Sequence, residues 1–309
     1  MKIDLNGNVI EEQKAVVSVY DHGFLYGMGL FETFRTYGGH PFLLEWHLER
    51  LAAGCRELDI RYVPDPDDLR ARIRGLLEAN ALTDAYFRFT VTAGTDILGL
   101  PAEPYKHPTE ILYIKSLPPI DSSVYSSGKP LQLLESRRNS PESTIRHKSL
   151  HYMNNILAKQ ELRRYPWAAQ AEGLLLDAKG FMSEGIVSNV FFVRGGELHT
   201  PSMETGLLPG ITRRYVMTRA RETGLFVSEG LYRWEDLTGA DEVFLTNSIQ
   251  EIVPVTRLLD REGKEHTVGD GTAGPVTARL LSWYRNACSG HGIIAEAKEE
   301  NDERWHDGF

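Results

Sequence analysis

Residues 85–94 read AYFRFTVTAG, a run of β-branched and aromatic side chains closed by a glycine, which is the composition of a strand. Working outward, the same signature recurs in EILYIKSL (110–117), LQLLES (131–136), GLLLDA (173–178), NVFFV (189–193) and DEVFLTN (241–247). Between these runs lie stretches with helical periodicity. In LLEWHLERLAAGCREL (43–58), Leu44, Leu48, Leu51, Cys55 and Leu58 fall on one face. PDDLRARIRGLLEAN (66–80), HYMNNILAKQELRRY (151–165) and ITRRYVMTRARETG (211–224) follow suit, the last closing on Gly224 as a helix terminator. VRGGEL (193–198) and LDREGKEH (259–266) predict hairpin turns. Strands and helices mix without alternating as βαβ units, which points to α+β and away from a doubly wound parallel sheet.

A chain of 309 residues is long enough for two domains of roughly 150 residues each. The stretch SLPPIDSSVYSSGKP (116–130), rich in Pro, Ser and Gly, predicts an interdomain linker over 119–130. That leaves a small N-terminal domain over 1–118, a larger one over 131–290, and a charged tail over 291–309.

The net charge of -9 argues against nucleic acid or an anionic membrane surface as the main partner. No apolar run approaches the about 20 residues that span a bilayer, and the opening MKIDLNGNVIEEQKA lacks the apolar core of a signal peptide. Cys55 and Cys288, the only cysteines, make no CxxC pair. A cytoplasmic protein with reduced thiols is the expectation.

Several chemistries are absent. There is no Walker loop GxxxxGK[ST], no HExxH and no GxSxG elbow, and the histidines make no metal set with sensible spacing. The glycines of DHGFLYGMGLFETFR do not follow a convincing strand in the dinucleotide pattern. What remains suits an anionic, electron-withdrawing cofactor. GLLPGIT (206–212) is a turn opening a helix, where backbone amides and the Thr212 hydroxyl could cradle a phosphate. Arg50 in HLER could bind a phosphate bidentately. Lys148 follows the polar loop NSPESTIR, and Glu184 stands immediately before an apolar strand, as a surface charge or buried against a cation. Taken singly, each has an ordinary reading: a helix cap, a solvated arginine, a solvated lysine, a strand-edge acid.

Taken in order, they resemble the fold-type IV pyridoxal-phosphate enzymes, the family of branched-chain and D-amino-acid aminotransferases and aminodeoxychorismate lyase. The pieces that carry the resemblance are YDHGFLYGMGLFETFRTY, HLERL, HKSLHYMNNILAKQEL, GFMSEGIVSNVFFV, LLPGITRRYV and DEVFLTNSIQEIVPV, and Glu184 follows Lys148 by 36 positions. The resemblance implies an α+β, two-domain fold, with a small N-terminal α/β sandwich and a larger mixed barrel-like domain holding pyridoxal 5′-phosphate between them. It also implies a homodimer whose active site borrows residues from the partner.

The resemblance further implies roles. Lys148 looks like the imine-forming lysine and proton carrier, and Glu184 like the carboxylate that keeps the pyridine nitrogen protonated. Arg50, Ile211, Thr212 and Ser248 look like the phosphate cup. Tyr26, Arg88 and Arg35 stand at positions facing the substrate. Within the family, HKSLHYMNNILAKQEL and FETFRTY most resemble the aminodeoxychorismate lyases, with Thr33 where branched-chain transaminases have a glycine. Those transaminases carry a tyrosine five residues after the lysine, where this chain has Met153 preceded by Tyr152. The implied activity is conversion of 4-amino-4-deoxychorismate to 4-aminobenzoate and pyruvate. The runner-up is a transaminase of D-amino acids, branched-chain amino acids or amines, and a third reading is a non-catalytic cofactor-binding protein. His22, His147 and His151 flank these motifs and read as hydrogen-bonded scaffolding. The loop 96–106, with two prolines and a glycine, is expected to border the substrate pocket.

Overall fold

The computed structural model describes residues 1–119 and 121–290, so the charged tail over 291–309 lies outside the described residues. The chain forms two compact units. One comprises Met1–Pro119 together with His147–His151, and the other the described residues 121–146 and 152–290.

The first unit contains, in chain order, β1 (Lys2–Leu5), β2 (Asn8–Glu11), α1 (His22–Tyr26), β3 (Gly29–Tyr37) and β4 (His40–Pro41). It continues with α2 (Leu44–Glu57), α3 (Pro66–Ala79), β5 (Ala85–Thr92) and β6 (Thr109–Ser116). Its strands make one antiparallel sheet in the order β2-β1-β6-β5-β3-β4. β5 alternates: Ala85, Phe87, Phe89 and Val91 are fully buried with the apolar faces of α2 and α3, leaving Tyr86 and Arg88 on the opposite face. Leu44, Leu48, Leu51 and Cys55 of α2 are buried as their spacing predicts. α3 begins where Asp65 accepts the amides of Asp67 and Asp68 ahead of Pro66, a standard start signal.

The second unit contains α4 (Val124–Ser127), β7 (Lys129–Arg137), α5 (Met153–Leu162), β8 (Glu172–Leu176), β9 (Met182–Gly185), β10 (Asn189–Arg194) and β11 (Glu197–Pro201). α6 (Ile211–Glu222), β12 (Val227–Gly230), α7 (Trp234–Thr238), β13 (Glu242–Asn247), β14 (Glu251–Leu259), β15 (Glu265–Thr267) and α8 (Pro275–Cys288) follow. A nine-stranded mixed sheet runs β12-β11-β10-β13-β14-β7-β8-β9, with β15 on β14. It curls until β9 returns against β10 and β11, giving a barrel-like shell around Leu131, Leu174, Phe192, Leu245 and Leu258. α5 packs over Leu134 and Leu175. The predicted hairpins form: Gly195 and Gly196 both take positive φ between β10 and β11, as a two-residue turn of matching twist requires.

Two segments sit differently from the sequence expectation. The stretch 119–130 includes α4 and the start of β7, because Lys129 registers with Val255 and Ser126 accepts the Ala273 amide. Residues 147–151, expected in the large domain, join the first unit. The Phe31 amide donates to the Lys148 carbonyl (2.9 Å) and the Leu150 amide to the Gly29 carbonyl (3.0 Å), so the segment lies along β3.

Candidate active site

Each unit holds part of the candidate set. In the first, the backbone bonds just described set Lys148 beside Phe31. Its Nζ stands 4.7 Å from the centre of the Phe31 ring, and the Arg88 guanidinium stands 3.6 Å from the same centre. Thr33 lies directly across from Arg88 in the β3–β5 register, two positions along from Phe31 and therefore on its face. Arg88 Nε also donates to Thr90 Oγ1 at 3.3 Å. Arg35, two further along, rests over the Tyr37 ring at 4.5 Å. One face of β3 and β5 thus gathers an amine, an arginine and a hydroxyl around a single aromatic ring.

Tyr26 closes α1, and its hydroxyl accepts the Gly99 amide at 2.9 Å. It lines a cavity of about 400 Å3 with Met28, Leu58, Leu100, Pro101 and Tyr105, the last three from the loop 96–106. Buried His22 ties that loop down, with Nδ1 2.9 Å from the Tyr105 hydroxyl and Nε2 2.8 Å from the Ile97 carbonyl.

On the helix-facing side of β3, Glu32 is buried and takes Nε and Nη2 of Arg50 at 2.8 and 2.6 Å. His47 Nδ1 lies 2.6 Å from the same carboxylate. Burial pushes the Glu32 carboxyl up, but Arg50 and His47 together outweigh it and hold it at about 2. Burial pushes the His47 imidazole below its ordinary value against the pull of Glu32, and the charges of Arg50 and Lys148 add to the depression. Arg50, expected to face a phosphate, is therefore oriented by a carboxylate that the sequence reading did not pair with it. The available signal was a charge inside the apolar strand GLFETF, which burial obliges to find a cation.

In the second unit Glu184, on β9, is 5% exposed. Its partners are Arg138 Nε at 2.7 Å, the Leu208 amide at 3.0 Å and Asn189 Nδ2 at 3.4 Å. Glu184 is thus buried against a cation, and Arg138 and Asn189 are partners that sequence reasoning missed. Three donors leave room on a carboxylate that offers about four acceptor positions, so a protonated pyridine nitrogen fits.

The helix α6 starts at Ile211 with no side-chain cap, so the amides of Ile211 and Thr212 have no partner within the helix. Gly210 just before it leaves the space that Asn189 fills: a Cβ there would overlap Asn189 Oδ1. Thr212 Oγ1 lies 3.5 Å from Ser248 Oγ, and the Asn247 carboxamide holds the Ser248 turn by accepting the amides of Ile249 and Gln250. Thr246 pairs with Asn189 across β13 and β10, and its buried hydroxyl has no hydrogen-bond partner. Open amides, clustered hydroxyls and an unsatisfied buried hydroxyl fit a phosphate. Met153 is exposed at the start of α5 with Tyr152 before it. Among the described residues no three metal-ligating side chains gather, and no helix is long and apolar enough to cross a membrane.

The family model for amino-transferase class IV matches residues 29–258. The chain is 42% identical over 285 residues to aminodeoxychorismate lyase of Bacillus subtilis (strain 168), covering 92% of this chain and 93% of that one. The crystal structure of 4-amino-4-deoxychorismate lyase from Pseudomonas aeruginosa superposes with a TM-score of 0.79 at 30% identity, covering 92% of this chain and 98% of that one. The branched-chain amino acid aminotransferase of Escherichia coli gives a TM-score of 0.83 at 29% identity, covering 96% of this chain and 97% of that one. A further branched-chain amino acid aminotransferase, solved with pyridoxamine 5′-phosphate, gives 0.82 at 29% identity, covering 94% and 95%. With this fold and this match, the chain belongs to the amino-transferase class IV family, in its fold-type IV architecture.

Proposed function

We propose that the protein is a pyridoxal-phosphate-dependent lyase that converts 4-amino-4-deoxychorismate to 4-aminobenzoate and pyruvate. The observation that carries this reading is the sharing of the Phe31 ring by the Lys148 amine and the Arg88 guanidinium, with Thr33 alongside. An amine that must move a proton from a dianionic substrate needs a carboxylate-binding cation close to it. The likeness to the two lyases supports the same assignment.

Pyridoxal 5′-phosphate, when bound, supplies an aldehyde that condenses with amines and a pyridinium that stores an electron pair. Glu184, held in place by Arg138, would pair with that pyridine nitrogen and keep it protonated. The amides of Ile211 and Thr212 and the hydroxyls of Thr212 and Ser248 would hold the phosphate. Lys148 takes the proton from the ring carbon that bears nitrogen, and Thr33 assists that transfer. The C–O bond to the enolpyruvyl group would then break with its electron pair on oxygen as the ring becomes aromatic, and the released enolpyruvate would take a proton at its methylene carbon, equal to the one lost from the ring, to leave as pyruvate. Arg88, Arg35 and Tyr26 orient the substrate carboxylates.

A transaminase is the second reading, favoured by the likeness to the branched-chain enzymes. We further read the protein as a cytoplasmic homodimer. Val19, Tyr20, Phe24, Ile97, Leu98 and Leu100 are exposed apolar residues on adjoining segments, joined where the Asp96 amide donates to the Tyr20 carbonyl, and a second copy would cover them.

The test is an assay of 4-aminobenzoate and pyruvate release, with the visible absorption of the bound cofactor as a second readout. Release of both products, lost in Lys148→Ala, is the expected outcome. A yellow protein inert to aminodeoxychorismate but bleached reversibly by an amino acid would establish the transaminase instead. A protein that stays colourless on reconstitution would overturn both.

A further inference from the structure

Two histidines bracket Lys148 in HKSLH, and each is seated on a glycine of the same unit. His147 lies against Gly54 of α2, where a Cβ would come within 3.1 Å of its Nδ1. Its Nε2 stands 2.7 Å from Glu57 Oε2, about one turn further along the helix. His151 lies over Gly27, where a Cβ would come within 2.5 Å of its Cδ2. Its Nε2 stands 3.1 Å from the Tyr26 carbonyl. Gly27 takes φ +70° to end α1, so the backbone there both turns left-handed and leaves space for the imidazole. Carbonyl and carboxylate oxygens accept, so each histidine carries its proton on Nε2 and donates.

Between these two clamps the segment meets β3 through two backbone hydrogen bonds, from the Phe31 amide to the Lys148 carbonyl and from the Leu150 amide to the Gly29 carbonyl. A strand addition that short is marginal by itself. The chain on either side, at Arg146 and at Tyr152, belongs to the other unit and gives residues 147–151 no strand to continue. The histidine side chains add a fastening at each end.

We propose that His147 and His151 are positioning residues that pin the Lys148 backbone to β3 and thereby set its amine on the Phe31 ring. Neither histidine moves a proton in the reaction. The proposal rests on Lys148 being the amine that condenses with pyridoxal phosphate. Without the clamps, residues 147–151 fray from β3 and the amine loses its fixed place.

The experiment uses the full chain freed of cofactor, with His147→Ala, His151→Ala, the double variant, and His147→Gln and His151→Gln, whose amide N–H can replace Nε2–H. One readout is the rate at which the Lys148 amine condenses with pyridoxal 5′-phosphate, forming C=N and releasing water, followed by visible absorption. The other is equilibrium binding of pyridoxamine 5′-phosphate, which has no aldehyde and cannot condense with lysine. Each alanine variant is expected to slow condensation about tenfold and the pair up to about 100-fold, the scale of a small misplacement of a reacting group. The glutamine variants recover most of the rate, and pyridoxamine phosphate affinity stays unchanged throughout. Condensation at the wild-type rate in the alanine variants, or a matching loss of pyridoxamine phosphate affinity, would overturn the proposal. A wild-type protein that binds pyridoxamine phosphate yet never condenses with pyridoxal phosphate would overturn the role of Lys148 itself.

Discussion

Glu32 grips Arg50 through both carboxylate oxygens, at 2.8 Å to Nε and 2.6 Å to Nη2, in a unit where the carboxylate is buried and the arginine nearly so. The pair fixes a guanidinium on α2 by a strand residue 18 positions earlier. Removing one member of a buried ion pair leaves the other desolvated and uncompensated.

That relationship sets an acid sensitivity. A carboxyl held at about 2 stabilises the fold fully above its ordinary 4.5 and loses that contribution as pH falls through the interval down to about 2. The shift corresponds to on the order of 3 kcal/mol. His47 acts in the same sense: its imidazole is depressed in the fold, so below 6.5 the unfolded chain binds the proton more readily and stability falls with pH. Urea titrations across the acid range should show Glu32→Gln less stable than wild type by about 3 kcal/mol near neutrality. The two should converge toward pH 2, and a constant gap would contradict the assignment.

Gly210→Ala should damage the start of α6 without touching its amides directly. The added methyl displaces Asn189, whose Nδ2 donates to Glu184 and to the Leu208 carbonyl. A cost of about 1–3 kcal/mol is expected, as for overpacking in a filled interior. Cofactor titration should show affinity falling about tenfold, which corresponds to about 1.4 kcal/mol. Unchanged affinity would argue that α6 does not hold the phosphate.

Arg138→Leu should destabilise the second unit by roughly 3–5 kcal/mol, because Glu184 loses its only charged hydrogen-bonding partner among the described residues. Glu184→Gln added to that variant should restore part of the loss by removing the stranded charge. A double-mutant cycle on chemical denaturation measures the coupling. Additive effects would mean that the two groups do not interact energetically.

Much of the local structure was legible in the chain. Leu44, Leu48, Leu51 and Cys55 share a face because helical spacing puts them there, and Gly195-Gly196 turns a hairpin because both positions need positive φ. The order of HKSLH, SEGIVSN and PGIT was enough to single out Lys148, Glu184 and the start of α6. Periodicity reports which face of an element is buried, but not what lies opposite it. That Glu32 meets Arg50, that Glu184 meets Arg138 from 46 positions away, and that residues 147–151 lie along β3 were decided by sheet register and long-range packing. Those partners are chosen in the folded state, where a buried charge or an open strand edge must be satisfied by whatever the tertiary structure brings beside it.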